Sequence, residues 1–514
     1  MMIRRKVFLF LLLVAPVVVS AQETKNHNLE VAKNLDIFNQ LYKNLDLMYV
    51  DTLDANKVIG TGIRAMLKSL DPYTEYFSEQ KDLKTFISGK YAGIGALIRY
   101  HLTKKTVVVD EPYAGTPAQE AGLKKGDEIL SIDDSVMTGK DTKYVSERLR
   151  GDAGTTFLLK IRRPSTGKEM KMKITRRQIQ YTPTIPYYGM REGGTGYISL
   201  SQFTEGCAQE VRRAFLDLRN QGMKSLVLDL RGNGGGSEAE AVNLVNMFVP
   251  RGQTVVSNKG KLRQLSHDYK TSMEPLDTII PMVVLVNGES ASASEITCGA
   301  LQDMHRAKII GTRTYGKGLV QVPIDLPYNT NLKITTSRYY LPSGRSIQGT
   351  GVEPDIVVKQ DTLPNIAYYL SGSGLDSTEV MFDYVVDYIT RHPTIASPSE
   401  FRITDADFKE FKERVMKSGF TYDPVSKKQL DELVKTAKFE GYYDDARDAF
   451  ELLESKLKHD LGRDMDLHAT ILRQLLETDI IAAYYYTPGV VELGLRYDKQ
   501  FQEALRVLGE ATKQ

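Results

Sequence analysis

The chain has 514 residues, of which 41% are apolar and 26% charged, with a net charge of +2. That length calls for several domains, and that balance excludes both a disordered chain and a multispan membrane protein. Near-neutrality, without an RNA-binding aromatic motif or zinc-finger spacing, gives no basis for a nucleic-acid partner.

Arg4, Arg5 and Lys6 precede an apolar run from Val7 to Val19, and Val19-Ser20-Ala21 puts small residues before Gln22. This is the pattern of a signal peptide over residues 1–21, with a run short for a membrane span. An uncleaved anchor is the competing reading. Losing the leader removes three basic residues and no acidic one, for a net charge of −1. Cys207 and Cys298 are the only cysteines. An exported fold of this size does not depend on them, and both are expected as buried free thiols.

Residues 22–85 read as a helical region. Val31, Leu35, Phe38, Tyr42 and Leu45 form one apolar stripe, and a second helix over residues 56–70 stops at Asp71-Pro72. Neither helix can bury its stripe alone, so both are expected to pack on the main body. Residues 86–178 change to short β-runs at 94–99, 106–109, 128–132, 156–162 and 171–176, with brief helices at 117–121 and 142–149. Gly93-Ile94-Gly95-Ala96 leads into the first run. Such a turn can present N–H groups to a peptide carboxylate, and the adjoining strand edge can pair with a peptide backbone. A plain hairpin connection is the blander reading.

Residues 179–361 alternate strand and helix: 196–200, a helix at 205–221, 225–229, a helix near 239–248, 282–286, a helix at 292–305 and 307–311. A further strand is expected over 330–342. This alternation argues for crossover units and an α/β class. From residue 362 to 514 the pattern is helical and more charged, with helices expected at 405–418, 427–440, 442–459, 467–486 and 491–508.

The chemistry concentrates in the α/β part. The apolar run at Val283 ends in Asn287-Gly288, and Ser290, Ser292 and Ser294 then lead into a helix. A serine hydroxyl needs a partner to take its proton. His305 lies at the far end of that helix, roughly 20 Å away at 1.5 Å per residue, and His267 sits in charged, irregular surroundings. Lys317, between Gly316 and Gly318, is the better base. It must be neutral to act, and burial can lower its pKa from the free value of about 10.4. Gln321, four residues on, could orient its amine. Ser292 and Glu295 also fit a capping box, and the three serines stay open on pattern alone. An oxyanion would need donors: the Ala293 N–H, and one from the glycines after Arg231, most plausibly Gly235. A phosphate loop fails, because there is no GxxxxGK[ST] sequence.

At these residues the chain resembles the carboxyl-terminal processing peptidases, or tail-specific proteases. The resemblance spans roughly residues 30 to 360. It rests on LDPYTEYF at 70–77, GLKKGD at 122–127, DLR and its glycines from Asp229, SASASEI at 290–296, TYGKG at 314–318 with Gln321, YYLPSGR at 339–345 and GVEPD at 351–355. It implies a multidomain α/β serine protease core with an inserted β-rich PDZ domain and helical N- and C-terminal regions. It implies a dyad of Ser292 and Lys317, which lie 25 residues apart, with Gln321 orienting the lysine. Gly93, Ile94, Gly95 and Ala96 would bind the substrate's terminal carboxylate, and Arg150-Gly151 would link that event to the core. Ala96 departs from the bulky residue usual there. The implied partners are proteins with exposed C-terminal tails; a homodimer, an adaptor protein and peripheral membrane association stay open. The implied location is the periplasm of a gram-negative envelope, and no metal or organic cofactor is called for. A non-enzymatic PDZ scaffold that captures tails is the alternative, although it would not need a Ser–Lys–Gln set.

Overall fold

The structure is a computed structural model that describes residues 27–79, 90–180, 183–372, 375–457 and 460–511. The expected signal peptide lies outside the described residues. The chain forms two compact units. One comprises the residues up to Glu79 together with Gln321–Thr335; the other comprises Gln80–Val320 and Thr336–Gln514.

In the first unit, helix α1 covers residues 27–48 and α2 covers Ala55–Lys68. Asp54 caps α2 by accepting the Lys57 N–H at 3.1 Å. Asp71 accepts the N–H groups of Tyr73 and Thr74 and the Thr74 hydroxyl, which fixes the turn into strand β1, Glu75–Phe77. β1 pairs antiparallel with residues 331–333. The stripe expected to be covered is largely bare: Leu35 is 62% and Phe38 51% exposed.

The second unit begins with a two-stranded ribbon of β2, Lys90–Gly93, and β9, Arg177–Gln180. Between them lie β3 (Ala96–His101), β4 (Thr106–Pro112), α3 (Pro117–Glu120), β5 (Glu128–Ile132), β6 (Ser135–Val136), α4 (Thr142–Leu149), β7 (Thr156–Arg162) and β8 (Glu169–Thr175). Their sheet runs β3-β4-β5-β7-β8, with β3 at its edge. Its core gathers Val107, Val109, Ile129, Val145, Phe157, Leu159 and Ile161.

A six-stranded sheet follows, built from β10 (Tyr188–Arg191), β11 (Thr195–Ser199), β12 (Ser225–Asp229), β15 (Met282–Val286), β16 (Lys308–Gly311) and β19 (Ile356–Val357). All neighbours are parallel except the antiparallel β10 edge. β12 and β15 are buried along their whole length, as parallel strands covered on both faces require. Helices α5 (Cys207–Asn220), α6 (Glu238–Asn246) and α7 (Ala293–Asp303) cover one face. In α5, Cys207, Val211, Ala214, Phe215 and Leu218 fall on one buried stripe. In this unit β13 (Thr254–Gly260) pairs with β14 (His267–Lys270); β17 (Leu319–Leu326) and β18 (Thr330–Tyr340) pair with each other. Residues 331–333 pair with β1, whereas residues 337–340 pair with β13.

The C-terminal part comprises α8 (Asn365–Ser371), α9 (Val380–Arg391), α10 (Asp405–Ser418), α11 (Val425–Glu440), α12 (Arg447–Lys456), α13 (Leu461–Leu467), α14 (Ala469–Gly494) and α15 (Lys499–Ala511). A break is expected near residue 487, and the structure has one: α14 is two helical segments that meet at Tyr486. Tyr486 takes the non-helical angles φ 56° and ψ −164° two residues before Pro488, so the first segment ends there and the second runs on to Gly494. α9 docks on the β3–β4 module. Arg99 pairs with Glu379, His101 Nε2 lies 3.1 Å from Asp383, and Phe382 packs with Val108 and Val386. Burial opposes ionisation of Asp383, yet His101 and Lys104 hold its carboxyl below the usual range. α15 covers the other face of the six-stranded sheet: Phe501, Ala504 and Leu508 pack on Tyr197, Val227, Val283 and Leu285.

Candidate active site

The turn after β15 separates the three serines. Ser290 is fully buried and its hydroxyl donates to the Leu230 carbonyl at 2.8 Å. Ser294 is equally buried and donates to the Asn233 carbonyl at 2.8 Å. Both are structural pins between this turn and the loop after β12. Ser292 is half-exposed. It has φ 57° and ψ −113°, a region a residue with a Cβ rarely occupies, at a cost of about 1–3 kcal/mol. A strand that turns sharply into a helix imposes such a conformation and lifts the serine out of the chain path. Ala293 opens α7, so its N–H belongs to the first helical turn, where donors lack intrahelical acceptors.

Lys317 lies half-buried in the loop between β16 and β17. Two side chains join its backbone to that of Ser292. Glu295 Oε2 accepts the Ser292 N–H at 2.9 Å and the Lys317 N–H at 2.8 Å. Tyr339 Oη donates towards the Ser292 carbonyl at 3.2 Å and to the Lys317 carbonyl. Glu295 Oε1 further accepts the Thr314 hydroxyl at 2.5 Å and the Gly316 N–H at 2.8 Å. Burial raises the pKa of Glu295, and these four donors oppose that shift. Both residues are buried, Glu295 at 0% and Tyr339 at 1% exposure. The Ser292 turn and the Lys317 loop are therefore each two hydrogen bonds from the other, by two routes.

The Glu295 half of the capping box is thus present, but the same carboxylate also serves the lysine loop. Tyr339 carries no sequence signal of this role. It is a strand residue 47 positions from Ser292 whose hydroxyl finds the turn only in three dimensions. Gln321 Nε2 donates to Thr335 Oγ1 at 3.2 Å on the adjoining strand.

The loop after β12 lies against the Ser292 turn. Gly235 has φ 100°, and a Cβ there would sit 2.6 Å from the Ala291 carbonyl oxygen and 2.8 Å from Ser292 Cβ. Glycine is required by backbone angle and by proximity alike. The Gly235 N–H, expected as an oxyanion donor, donates to Asn233 Oδ1 at 2.9 Å. It reaches a substrate oxygen only if Asn233 releases or shares it. Asn233 is itself fixed, since its Nδ2 donates to the Leu200 carbonyl and its own carbonyl accepts the Ala291 N–H. Cys207 and Cys298 are buried free thiols, and burial pushes both thiols up.

In the β-rich module, Gly95 has φ 75°, and a Cβ would fall 2.5 Å from Thr116 Cβ. The Gly95 carbonyl accepts the Tyr113 N–H and the Thr116 hydroxyl, both at 2.9 Å, and the Ile94 carbonyl accepts the Ala118 N–H at 2.9 Å. The loop carbonyls are thus turned inward. Ala96 begins edge strand β3 and packs against the module core. The Gly93 position adjoins the Tyr91 ring, over which the Arg150 guanidinium stacks at 5.0 Å. Gly151 donates its N–H to the Ala92 carbonyl at 3.3 Å, so the Arg150 turn is tied to the ribbon.

Comparison with known proteins agrees with this arrangement of parts. Residues 194–358 match peptidase family S41, residues 108–163 a PDZ domain, and residues 372–508 the C-terminal helical domain of probable PDZ-proteases. A carboxy-terminal-processing protease of Bartonella bacilliformis is 37% identical over 368 residues, covering 70% of this chain and 83% of that protein. A probable CtpA-like serine protease of Staphylococcus epidermidis is 33% identical over 353 residues, covering 67% and 69%. A solved photosystem II D1 C-terminal processing protease is 31% identical and covers 64% of this chain and 88% of that one, with a TM-score of 0.38.

Proposed function

This chain belongs to the carboxy-terminal-processing serine proteases, and from that premise we propose that it cleaves exported proteins near their C-termini with Ser292 as nucleophile and Lys317 as base. The observation that carries the assignment is the double link, through Glu295 and Tyr339, between the backbones of those two residues. A substrate tail would lay its carboxylate on the Gly93–Ala96 turn and its backbone along β3, the open edge of the PDZ sheet.

Neutral Lys317 takes the Ser292 proton, and the serine oxygen attacks the scissile carbonyl. The tetrahedral oxyanion is received by the Ala293 N–H and by the Gly235 N–H once Asn233 yields it. Lys317, now charged, returns its proton to the leaving amine, and water resolves the acyl-enzyme. The leader-like N-terminus and its cleavage pattern support action in the periplasm.

The test is hydrolysis of an unstructured peptide with a free carboxyl-terminus. Wild type should cleave it, with a rate that climbs with pH as the base loses its proton. Ser292→Ala and Lys317→Ala should each be inactive. A Lys317→Ala enzyme with full activity would remove the lysine from the mechanism. Retention of tail binding without cleavage by the wild type would favour a capture scaffold.

A further inference from the structure

Arg231 is the residue at which β12 becomes the loop beside Ser292. Its backbone N–H and its Nε both donate to Asp229 Oδ1 at 2.9 Å, and Nη2 pairs with Asp229. Its other contacts come from the far end of the chain. Nη1 donates to Gln500 Oε1 at 2.9 Å, across 269 residues of sequence, and Nη2 pairs with Asp498. Asp498 also caps α15, its Oδ1 accepting the N–H groups of Gln500 and Phe501 at 2.9 and 3.1 Å. Gln500 is fully buried and donates its Nε2 to the Val358 carbonyl at 2.7 Å. A planar guanidinium with all its edges engaged is a rigid peg.

The peg sets the start of a short path. Gly232 donates to Asn287 Oδ1 at 3.0 Å. The Asn233 carbonyl takes the Ala291 N–H and the Ser294 hydroxyl, and Gly235 abuts Ser292. We infer that Asp498 and Gln500 are positioning residues of the protease reaction: by holding Arg231 they fix the loop of residues 232–236 against the nucleophile. The C-terminal helix is then a working part of the active site as well as a cover for the sheet. This rests on the reading that Ser292 attacks and that this loop helps to receive the oxyanion. Misplacement of reacting groups by about 1 Å costs on the order of 100-fold in rate, so a loosened peg should register in kcat.

The experiment uses the full chain. Asp498→Asn keeps a side-chain oxygen for the helix cap and removes the anion beside Arg231. Leu508→Ala, on the same helix but among the residues packed on the sheet, loosens docking without touching Arg231. Asp498→Asn should lower kcat by about tenfold or more with KM for a tail peptide unchanged. It should weaken a peptide boronate, whose adduct mimics the tetrahedral state, in the same proportion. Leu508→Ala should lower the melting temperature and leave kcat per folded molecule unchanged. Gln500→Leu carries the same test should Asp498→Asn reduce the folded fraction. The inference is overturned if kcat of the variant stays within about twofold of wild type, or if Leu508→Ala loses as much activity per folded molecule. Ser292→Ala is measured alongside. An active Ser292→Ala would overturn the nucleophile assignment itself. An inactive one beside an unchanged Asp498→Asn overturns only the positioning role.

Discussion

The turn bearing Ser292, proposed as nucleophile, and the Gly93–Ala96 turn, proposed to hold the substrate carboxylate, are both close-packed, glycine-dependent loops at strand ends, yet opposite means hold them. The first is fixed by side-chain hydrogen bonds that join separate elements of the core. Glu295 and Tyr339 tie it to the lysine loop, and Asn233, Ser290 and Ser294 pin it to the glycine loop. The second is held mostly by its own backbone, with Gly95 and Ile94 bonded to residues 113–118 of the same module. A site that must place two reacting groups to within a fraction of an ångström needs cross-braces between elements. A site that grips a carboxylate needs only exposed N–H groups and a sheet edge. Substitutions should therefore act on kcat at the first turn and on KM at the second.

Four substitutions probe that contrast, from the largest effect to the smallest. Gly235→Ala puts a methyl group 2.6 Å from the Ala291 oxygen at φ 100°. It should cut kcat by about 1,000-fold, the upper range for losing an oxyanion donor, with tail-peptide affinity intact by calorimetry. Glu295→Gln replaces an acceptor of four hydrogen bonds with a carboxamide that must turn one donor against another. A kcat loss of about 100-fold is expected, together with a lower melting temperature. Gly95→Val, 2.5 Å from Thr116 and at φ 75°, should raise KM for tail-bearing substrates about tenfold and leave kcat alone. If kcat fell instead, the two turns would not be separable in this way. Tyr339→Phe removes one shared hydroxyl while keeping the buried ring. A threefold to tenfold drop in kcat is expected, about 1 kcal/mol for one hydrogen bond, and an unchanged rate would leave Glu295 as the only brace that matters.

Much of this was legible in the sequence because the signals are local. Strands 128–132, 156–162, 225–229 and 282–286 and helices 142–149 and 405–418 fall where residue pattern puts them. Pattern alone leaves Ser290, Ser292 and Ser294 open; the family resemblance singles out Ser292 and Lys317, and the structure separates the three serines by burying Ser290 and Ser294. What stayed hidden depends on the fold. Tyr339 is legible only as the first residue of the YYLPSGR motif, with nothing to say that its hydroxyl braces Ser292 and Lys317. Asn233 reads as loop filler, although its side chain occupies the Gly235 N–H. Strand 267–270 is four residues long, charged and mostly exposed, and in 254–260 the adjacent Val255 and Val256 are both buried, so neither shows a period of two. The break expected near residue 487 is present, with the non-helical turn at Tyr486 two residues before Pro488. The stripe at Val31, Leu35 and Phe38 shows the converse, since a clear helical pattern does not say what will cover it.

The pairing of Lys90 with Gln180 has a consequence for engineering. Paired strand residues lie about 5 Å apart, so the recognition module leaves and rejoins the chain at nearly one point. A foreign PDZ sequence with similarly adjacent termini could be spliced at this ribbon without stretching the catalytic scaffold. The graft would also have to reproduce Arg99 and His101, which α9 grips. Retargeting such a protease to new tails thus reduces to matching a two-strand socket and one ionic handhold.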